Sequence, residues 1–210
     1  MAPRLPDFDL YLVTDRQQTA GKDLAWVLGR ALEAGVRAVQ LREKDLGGRE
    51  LFILAEKMKR LCESYRAGLF INDRVDVALG VDADGVQLGV SSMPVGVARE
   101  LLGEKKLIGV STHSLAEAKA AEEAGADFIL FGPVYETPSK AVYGKPQGSG
   151  RLKEVVEKVS FPVYAIGGIK AGNIAEVKES GAAGVALISA VLAAADPLAA
   201  AREILALWKG

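Results

Sequence analysis

The chain contains a single cysteine and a single histidine, and only 6% of its residues are aromatic. The lone Cys62 excludes an intramolecular disulfide, which suits a reducing compartment, so we expect a cytoplasmic protein. It falls in a helical segment, where we interpret the thiol as a packing group rather than a nucleophile. No apolar run approaches the length of a membrane-spanning helix. Met1–Asp9 carries acids and prolines where a signal peptide would have a basic and then an apolar segment.

Neither sign of charge dominates the sequence. The formal net charge is −1, and acidic and basic residues are mixed along the chain. Such a distribution gives no basic surface of the kind that binds nucleic acid. We therefore expect a small-molecule ligand rather than nucleic acid or a membrane, and an anionic ligand would have to meet locally placed cations. The composition is compatible with a homo-oligomer.

Eight short aliphatic segments recur along the chain and alternate with segments of helical periodicity. Their continuous content of Val, Ile, Leu and Phe is typical of parallel strands that are buried on both faces. Eight such alternations predict a closed (β/α)8 barrel, or TIM barrel, formed by one domain over residues 1–210. In this fold the functional groups lie at the carboxyl ends of the strands. The predicted strands are Leu10–Thr14, Ala38–Arg42, Leu69–Asn72, Gly85–Leu88, Ile108–Ser111, Phe128–Gly132, Val163–Gly167 and Gly184–Ser189, and the clearest predicted helices are Leu24–Ala34, Leu51–Tyr65 and Leu115–Ala124.

The second predicted strand ends with Gln40, Arg42 and Lys44. Because side chains alternate along a strand, Gln40 and Arg42 point to the same face, and Lys44 follows in the loop. Two cations at a barrel mouth repel each other unless an anion binds there, and arginine and lysine are the side chains that grip phosphate. The alternative is a surface pair of cations that Glu43 and Asp45 neutralise, and the spacing fits both interpretations.

Asp73 directly follows the third predicted strand. It would cap the helix that begins at Arg74, which is the commoner job for such an aspartate. A carboxylate beside a phosphate-binding group is also the usual ligand of Mg²⁺. A second carboxylate would favour the metal interpretation, but the end of the fourth strand, Gln87–Ser92, contains no acid.

His113, the only histidine, lies just past the fifth predicted strand. Imidazole is the side chain best suited to proton transfer at neutral pH, and this position belongs to the functional end of a barrel. A lone histidine is also commonly structural, so both roles stay open. Either Thr112 or Ser114 would cap the helix that starts near Leu115.

Thr137, Ser139 and Lys140 follow the sixth predicted strand. Two hydroxyls beside a lysine suit a phosphate or diphosphate group. The run that follows, up to Gly150, contains the glycines that a closing loop needs. An ordinary connecting loop is the alternative.

The seventh and eighth predicted strands end in Gly167–Ile169 and Ser189–Val191. Glycine lets the backbone approach a ligand, and the N-terminus of a helix offers unpaired N–H groups to an anion. Phosphate binding by the loops after strands seven and eight recurs in this barrel. We therefore expect a phosphate site here, with glycines needed only for a tight turn as the alternative.

Taken together and in this order, these segments resemble the thiamine phosphate synthase and thiazole tautomerase superfamily. The resemblance runs from Leu10–Asp15 to Gly184–Ala190, which is nearly the whole chain. A synthase of this family joins a hydroxymethylpyrimidine diphosphate to a thiazole phosphate and releases diphosphate. The resemblance therefore implies a transferase of thiamine biosynthesis that acts on these two small molecules and uses Mg²⁺.

The resemblance also implies a role for each matching residue. The family reaction is dissociative: diphosphate leaves first, the pyrimidine carries the positive charge, and the thiazole nitrogen then attacks. Arg42, Lys44, Lys140 and His113 would be the catalytic groups, and Asp73 would bind Mg²⁺. The substrates would be held by Gln40, Asn72 and Ser111 on the pyrimidine side and by Thr137, Ser139, Gly168, Ile188 and Ser189 on the thiazole side.

The sequence departs from the family pattern at one metal ligand. Synthases have an acidic pair after the fourth strand, and Ser92 stands where the second acid is expected, so we expect weaker Mg²⁺ binding. Tautomerase relatives lack these acids and use a histidine at the position of His113 to move a proton on a thiazole carboxylate phosphate. The retained cations favour the synthase over this alternative. A non-catalytic phosphate-binding paralogue is a further alternative.

Overall fold

Eight parallel strands form a closed barrel in the computed structural model, which describes residues 6–137 and 145–210. Each strand pairs in parallel with its two neighbours, and the eighth pairs with the first. The predicted (β/α)8 barrel is confirmed, and every strand ends within two residues of its predicted bounds. The strands are β1 (Leu10–Val13), β2 (Ala38–Leu41), β3 (Gly68–Asn72), β4 (Gly85–Leu88), β5 (Leu107–Thr112), β6 (Phe128–Phe131), β7 (Val163–Ile166) and β8 (Gly184–Leu187).

Helices connect the strands and cover the outside of the barrel. They are α1 (Leu24–Ala34), α2 (Gly48–Ser64), α3 (Val75–Gly80), α4 (Val95–Leu102), α5 (Leu115–Glu123), α6 (Gly148–Lys158), α7 (Ile174–Glu179), α8 (Ser189–Leu192) and α9 (Pro197–Lys209). Helix α2 begins before its first apolar residue, Leu51, because the Glu50 carboxylate accepts a hydrogen bond from the Gly47 N–H at 3.2 Å and supports an extra first turn. The predicted loop after β6 likewise ends earlier than Gly150, since α6 begins at Gly148.

Side chains from alternate strands fill the barrel in layers. The strand register places Gln40, Gln87, Leu130 and Ala186 in one layer, and Val13, Asn72, Ser111 and Ile166 in the next layer toward the carboxyl ends. The first of these layers is fully buried, whereas Asn72 and Ser111 are half-buried. The packed core therefore ends between the two layers, and the mouth of the barrel opens above them.

Aromatic rings fill the opposite end of the barrel. The ring of Phe8 stacks on Tyr164 with centroids 4.7 Å apart and contacts the rings of Tyr11, Phe70 and Phe128 at 5.3 to 5.9 Å. Phe70 and Phe128 also pack edge to face, with centroids 5.7 Å apart. This packing leaves the carboxyl end as the open end of the barrel.

Cys62 is buried on the inner face of α2. Burial raises the pKa of its thiol to about 12, so the thiol stays protonated at neutral pH. This environment supports the interpretation of Cys62 as a packing residue.

Among the described residues, none of the helices combines the length and the apolar content that a bilayer crossing needs.

Candidate active site at the carboxyl end of the barrel

Thr14 fixes the end of β2 against the end of β1. Its hydroxyl accepts a hydrogen bond from the Arg42 main-chain N–H at 2.9 Å and donates one to the Glu43 carboxylate at 2.6 Å. Thr14 and Glu43 are buried, whereas Arg42 is half-buried and Lys44 is exposed. The end of β2 is therefore held from inside the fold while its two cations lie at the rim of the mouth.

Arg16 binds the two carboxylates that neighbour these cations. Its guanidinium donates two hydrogen bonds to Asp45, at 2.7 and 2.6 Å, and one to Glu43 at 3.3 Å. The bond from Arg16 lowers the pKa of the Asp45 carboxyl. Within residues 6–137 and 145–210, no carboxylate forms an ion pair with Arg42 or Lys44. The alternative in which Glu43 and Asp45 neutralise these two cations is therefore wrong.

Two buried glutamines, Gln40 and Gln87, lie in the layer beneath the mouth. The Gln87 Nε2 donates a hydrogen bond to the Ser111 Oγ at 3.2 Å, which links the buried layer to the half-buried one. The Gln40 Nε2, the Gln87 Oε1 and the Tyr11 hydroxyl are buried and form no hydrogen bond of normal geometry in the described part of the chain. Burial raises the pKa of Tyr11, and the neighbouring Gln40 side chain opposes that rise, so these two groups satisfy each other in part. Because an unpaired buried polar group costs about 1–3 kcal/mol, these atoms favour a polar ligand or an ordered water inside the barrel.

Asp73 directly follows β3 and has a left-handed backbone with a φ of 67°. Its N–H donates to the main-chain oxygen of Gln87 at 2.9 Å, and its exposed carboxylate accepts no hydrogen bond from the described residues. The N-cap of α3 is Arg74, without a side-chain cap, so the capping interpretation of Asp73 is wrong. A non-glycine residue at positive φ is uncommon and is found most often where function requires it.

Ser92, which stands where a second metal ligand was expected, bonds to its own loop. Its Oγ accepts a hydrogen bond from the Gly89 N–H at 2.7 Å in the turn between β4 and α4. The described residues contain no group of three or more His, Cys, Asp or Glu side chains that could hold a metal ion. Asp73 is therefore the candidate ligand, and a divalent cation beside it would need further oxygens from a substrate and from water.

The His113 ring is held between the ends of β5 and β6. Its Nδ1 donates a hydrogen bond to the main-chain oxygen of Gly132, and its main-chain N–H donates to the Glu117 carboxylate at 2.7 Å. A neutral ring bonded in this way carries its proton on Nδ1, so Nε2 is the nitrogen that can accept a proton. Ser114 caps α5 by accepting a hydrogen bond from the Glu117 N–H, which confirms one of the two expected caps.

A cleft between the ends of β7 and β8 is lined mainly by glycine, alanine and aliphatic residues. Thr137, Gly168, Ile188 and Ser189 contribute to its walls, so the structure brings these four predicted residues together. Gly168 has a φ of 65°, and a Cβ there would lie 2.6 Å from the main-chain oxygen of Glu136. Only glycine fits this position, because the loop after β6 packs directly against it, and Gly168 also lines the cleft.

The other predicted residues, except for two, lie at or near the ends of β2, β3 and β5, where Lys44, Asn72 and Asp73 line a second pocket. Ser139 and Lys140 lie outside the described residues. The ends of β2, β3 and β5 carry Gln40, Arg42, Lys44, Asn72, Asp73, Ser111 and His113.

Comparison with known proteins identifies the family. A family model described as thiamine monophosphate synthase matches residues 10–191. The chain belongs to the thiamine monophosphate synthase family. A curated relative in this family, from Geobacter sulfurreducens, is 57% identical over 201 residues, which span 96% of this chain and 94% of the relative. The thiamine-phosphate synthase of Desulfitobacterium hafniense strain Y51 is 45% identical over 203 residues, which span 97% of this chain and 98% of that protein.

A solved structure agrees with the assignment to the thiamine monophosphate synthase family. Thiamine phosphate pyrophosphorylase from Pyrococcus furiosus is 40% identical and superimposes with a TM-score of 0.89 over 96% of both chains. The predicted family, the predicted thiamine phosphate synthase function and the predicted transferase class are confirmed by these relatives.

Three side chains that shape the site in this member of the thiamine monophosphate synthase family were missed in the sequence. Thr14 and Arg16 directly follow β1, so the rule that function lies at strand ends could have found them. Gln87 lies in the fourth strand, but its bond to Ser111 depends on two inward-facing side chains that meet across neighbouring strands. No local sequence signal marks that contact.

Proposed function

We propose that the chain joins 4-amino-2-methyl-5-(diphosphooxymethyl)pyrimidine to a thiazole phosphate at this mouth. The bond between the pyrimidine methylene carbon and the diphosphate oxygen breaks first, and its electron pair leaves with the diphosphate. The pyrimidine carries the positive charge until the lone pair of the thiazole nitrogen forms the new C–N bond. The products are thiamine phosphate and diphosphate. Such a reaction needs charge neutralisation and alignment more than it needs a base.

The cations Arg42 and Lys44, which form no ion pair with the described residues, are the observation on which this mechanism rests. Because Arg16 binds the two neighbouring carboxylates, neither Glu43 nor Asp45 bonds to these cations. Arg42 would grip two phosphate oxygens, and Lys44 would add a point charge. Both charges would stabilise the negative charge that develops on the departing diphosphate.

The pyrimidine ring would lie on the buried glutamine layer. Asn72 and Ser111 are the half-buried polar side chains above that layer, and the Gln40 Nε2 is a buried donor that forms no hydrogen bond of normal geometry with the described residues. An aminopyrimidine offers donors and acceptors along its edge, which suits these amide and hydroxyl groups. They would fix the orientation of the ring, so that its methylene carbon faces the thiazole.

Asp73 would hold Mg²⁺ together with diphosphate oxygens and water. Its carboxylate is exposed and accepts no hydrogen bond from the described residues, so it is available to a cation. Mg²⁺ is usually bound through one or two carboxylates plus substrate phosphates, and the bound ion neutralises further charge on the diphosphate. Ser92 offers a neutral oxygen that already bonds to the Gly89 N–H, which supports a lower affinity than two carboxylates would give.

The thiazole phosphate would occupy the cleft between β7 and β8. Gly168 lets its phosphate approach the backbone, Ser189 begins α8, and Thr137 lies on another wall. The resemblance adds Ser139 on the thiazole and Lys140 on the diphosphate. The reaction as written transfers no proton, so His113 would shape the end of β6 through its bond to Gly132.

A cytoplasmic location is part of the proposal. Cys62 is the only cysteine of the sequence, and its thiol is buried. A fold without disulfides suits a reducing compartment, and phosphorylated small molecules are its expected partners.

A single-turnover assay tests the proposed reaction. Purified protein is mixed with both substrates, with and without Mg²⁺, and thiamine phosphate is quantified. We expect metal-dependent product, and Arg42→Ala should lower the rate by about 100- to 1,000-fold, the usual effect of removing one preorganised group that stabilises developing charge. Arg30→Ala is the matched control because Arg30 pairs with Glu33 on the outer helix α1, and its rate should be unchanged.

The opposite result would redirect the assignment. A wild-type protein that binds thiazole phosphate but makes no thiamine phosphate would contradict the synthase. Proton exchange on a thiazole carboxylate phosphate would then support the tautomerase, and its absence would support the non-catalytic paralogue.

A further inference from the structure

The Glu176 carboxylate bonds to both ends of the segment that connects β6 to α6. Its Oε2 accepts a hydrogen bond from the Tyr135 hydroxyl at 2.8 Å, and its Oε1 accepts one from the Ser149 hydroxyl at 2.5 Å. Tyr135 lies four residues after β6, and Ser149 lies in the first turn of α6. Glu176 itself belongs to α7, so a third element holds the two ends together.

Main-chain hydrogen bonds join the same two ends. The Gln147 N–H donates to the Pro133 oxygen at 2.8 Å, and the Gly148 N–H donates to the Val134 oxygen at 2.9 Å. These two bonds and the two bonds to Glu176 form one connected unit at the base of the connection. We call this unit the Glu176 bracket.

The Glu176 bracket adjoins the cleft proposed for the thiazole phosphate. The Tyr135 N–H donates to the Gly167 oxygen at 3.0 Å, and a Cβ at Gly168 would lie only 2.7 Å from the Tyr135 Cβ. Tyr135 therefore packs directly on the backbone that lines the cleft. Thr137, two residues further along, contributes to the wall of the same cleft.

We propose that Glu176 is a positioning residue that sets the place of Thr137 and of the Gly167–Gly168 backbone through Tyr135 and Ser149. Glu176 is exposed, and within the described part of the chain its side chain bonds to Tyr135 and Ser149 rather than to a residue of the cleft. Its effect therefore passes through the two hydroxyls. Loss of the carboxylate removes both side-chain bonds at once and leaves only the main-chain bonds between the two ends. Loss of either hydroxyl leaves the other side-chain bond in place. The consequence for catalysis rests on the proposed synthase function.

The bonds also explain the titration behaviour of the groups involved. The hydrogen bond from Ser149, followed by that from Tyr135, lowers the pKa of Glu176. Burial and then the Glu176 carboxylate raise the pKa of Tyr135 to about 12. At neutral pH the acceptor is therefore ionised and the donor protonated, as the bracket requires.

Steady-state kinetics of Glu176 variants test the proposal. In Glu176→Ala we expect the KM for thiazole phosphate to rise about tenfold. The KM for the pyrimidine diphosphate should rise less, because its proposed groups lie on β2, β3 and β5 and only Lys140 belongs to the connection between β6 and α6. Glu176→Gln keeps one acceptor oxygen and should lose less. The double variant Tyr135→Phe/Ser149→Ala should show the same rise in the KM for thiazole phosphate as Glu176→Ala. Adding both substitutions to Glu176→Ala should raise this KM no further.

Glu179→Ala is the matched control. Glu179 lies on the same helix, is exposed, and forms no hydrogen bond or ion pair with the described residues. Both KM values should stay at the wild-type level in this variant. An equal rise in both KM values of Glu176→Ala, or the same selective rise in Glu179→Ala, would overturn the proposal.

Amide hydrogen exchange without substrates separates the Glu176 bracket from the reaction. Glu176→Ala should speed exchange at the Gln147 and Gly148 amides about tenfold or more and leave the core strands unchanged. Unchanged exchange at both amides would overturn the proposal. If the wild-type protein made no thiamine phosphate, the proposed function would fail. The exchange measurement would still test whether Glu176 holds the two ends of the connection together.

Discussion

Ser92 supports the fold at a position where the proposed metal site would gain from an acid. Its hydroxyl accepts a hydrogen bond from the Gly89 N–H and supports the turn after β4. An aspartate can accept the same bond, since Asp and Ser form equivalent local turns. The metal ligand and the turn are therefore separable properties of this position.

Ser92→Asp should strengthen Mg²⁺ binding. A second carboxylate near Asp73 adds a charged oxygen ligand, so we expect the Mg²⁺ concentration for half-maximal synthase activity to fall by about tenfold. Titration of single-turnover rates with Mg²⁺ measures this value. Ser91→Asp is the control, because Ser91 is the exposed neighbour and introduces the same charge one residue away. Equal effects of the two substitutions would show that net charge, rather than a new ligand, is responsible.

A substitution of His113 distinguishes the synthase from the tautomerase function. A general acid–base group contributes about 100- to 10,000-fold to a rate, whereas a group that only supports a loop contributes much less. We expect His113→Gln to lower synthase turnover by less than about tenfold, since the glutamine amide can still donate to the Gly132 oxygen. Rates of thiamine phosphate formation measure the effect. A loss above 100-fold would assign a proton-transfer role to the Nε2 of His113.

At the scale of elements, the turn after β1 controls the charge at the end of β2. Arg16 lies in a short 3₁₀ helix, Arg16–Gln18, and binds Glu43 and Asp45 beyond β2. Asp15 caps this helix by accepting a hydrogen bond from the Gln17 N–H. The turn therefore holds Arg16 in place. Glu43 and Asp45 bond to Arg16 rather than to Arg42 and Lys44, so the two cations are available to a ligand.

Arg16→Ala should weaken binding of the pyrimidine diphosphate, although Arg16 is not placed on the substrate. Glu43 and Asp45 would lose their ion-pair partner and compete with the diphosphate for Arg42 and Lys44, although Glu43 would keep its hydrogen bond from the Thr14 hydroxyl. We expect the KM for the pyrimidine diphosphate to rise about tenfold, with little change in the KM for thiazole phosphate. Arg30→Ala removes the same charge from a surface pair and is the control. An unchanged KM would mean that the two carboxylates stay away from the cations without Arg16.

The elements of this fold were far more predictable from sequence than the contacts between them. Continuous apolar runs such as Phe128–Phe131 predict buried parallel strands directly, and all eight were found because each is buried on both faces. The position of the site followed from the barrel rule. The pairing of Glu43 and Asp45 did not follow, because Arg16, Arg42 and Lys44 could all pair with these two carboxylates. Side-chain geometry rather than sequence order decides that Arg16 does so.

The role of Asp73 shows the same limit. A carboxylate before a helix predicts a cap, but the left-handed backbone at Asp73 turns the chain so that Arg74 becomes the N-cap. Aspartate adopts a positive φ more often than most non-glycine residues, but the sequence does not tell which aspartate does so. Strain of this kind is a property of the surrounding structure, and the sequence alone could not have revealed it.

At the scale of the whole molecule, stability should be greatest between about pH 5 and pH 8. Hydrogen bonds lower the pKa values of Asp45, Asp82 and Glu122, so their ionised forms stabilise the fold above the ordinary carboxyl pKa near 4. That contribution is lost as the pH falls through the lowered pKa values of the folded state. The midpoint of thermal unfolding should therefore decrease below about pH 4, and scans from pH 7 to pH 3 measure it.

The alkaline side of the same curve depends on Cys62. Burial raises the pKa of this thiol from 9.0 to about 12, so the unfolded chain ionises first as the pH rises. The contribution of Cys62 to the free energy of unfolding is fully present below the thiol pKa of the unfolded chain. It declines by about 1.4 kcal/mol per pH unit between the pKa values of the unfolded and the folded chain. The buried Tyr164, whose pKa burial also raises, adds to this decline only above about pH 10.

Cys62→Ala isolates the contribution of the thiol. The loss of the buried sulfur atom lowers the free energy of unfolding by an amount that does not depend on pH. Alanine has no titratable proton, so the alkaline decline caused by the thiol disappears. Urea unfolding at pH 7, 9 and 10 should give the wild-type protein a decreasing free energy of unfolding and the variant a nearly constant one. Equal slopes for the two proteins over this interval would mean that another buried group controls the alkaline limit of the barrel.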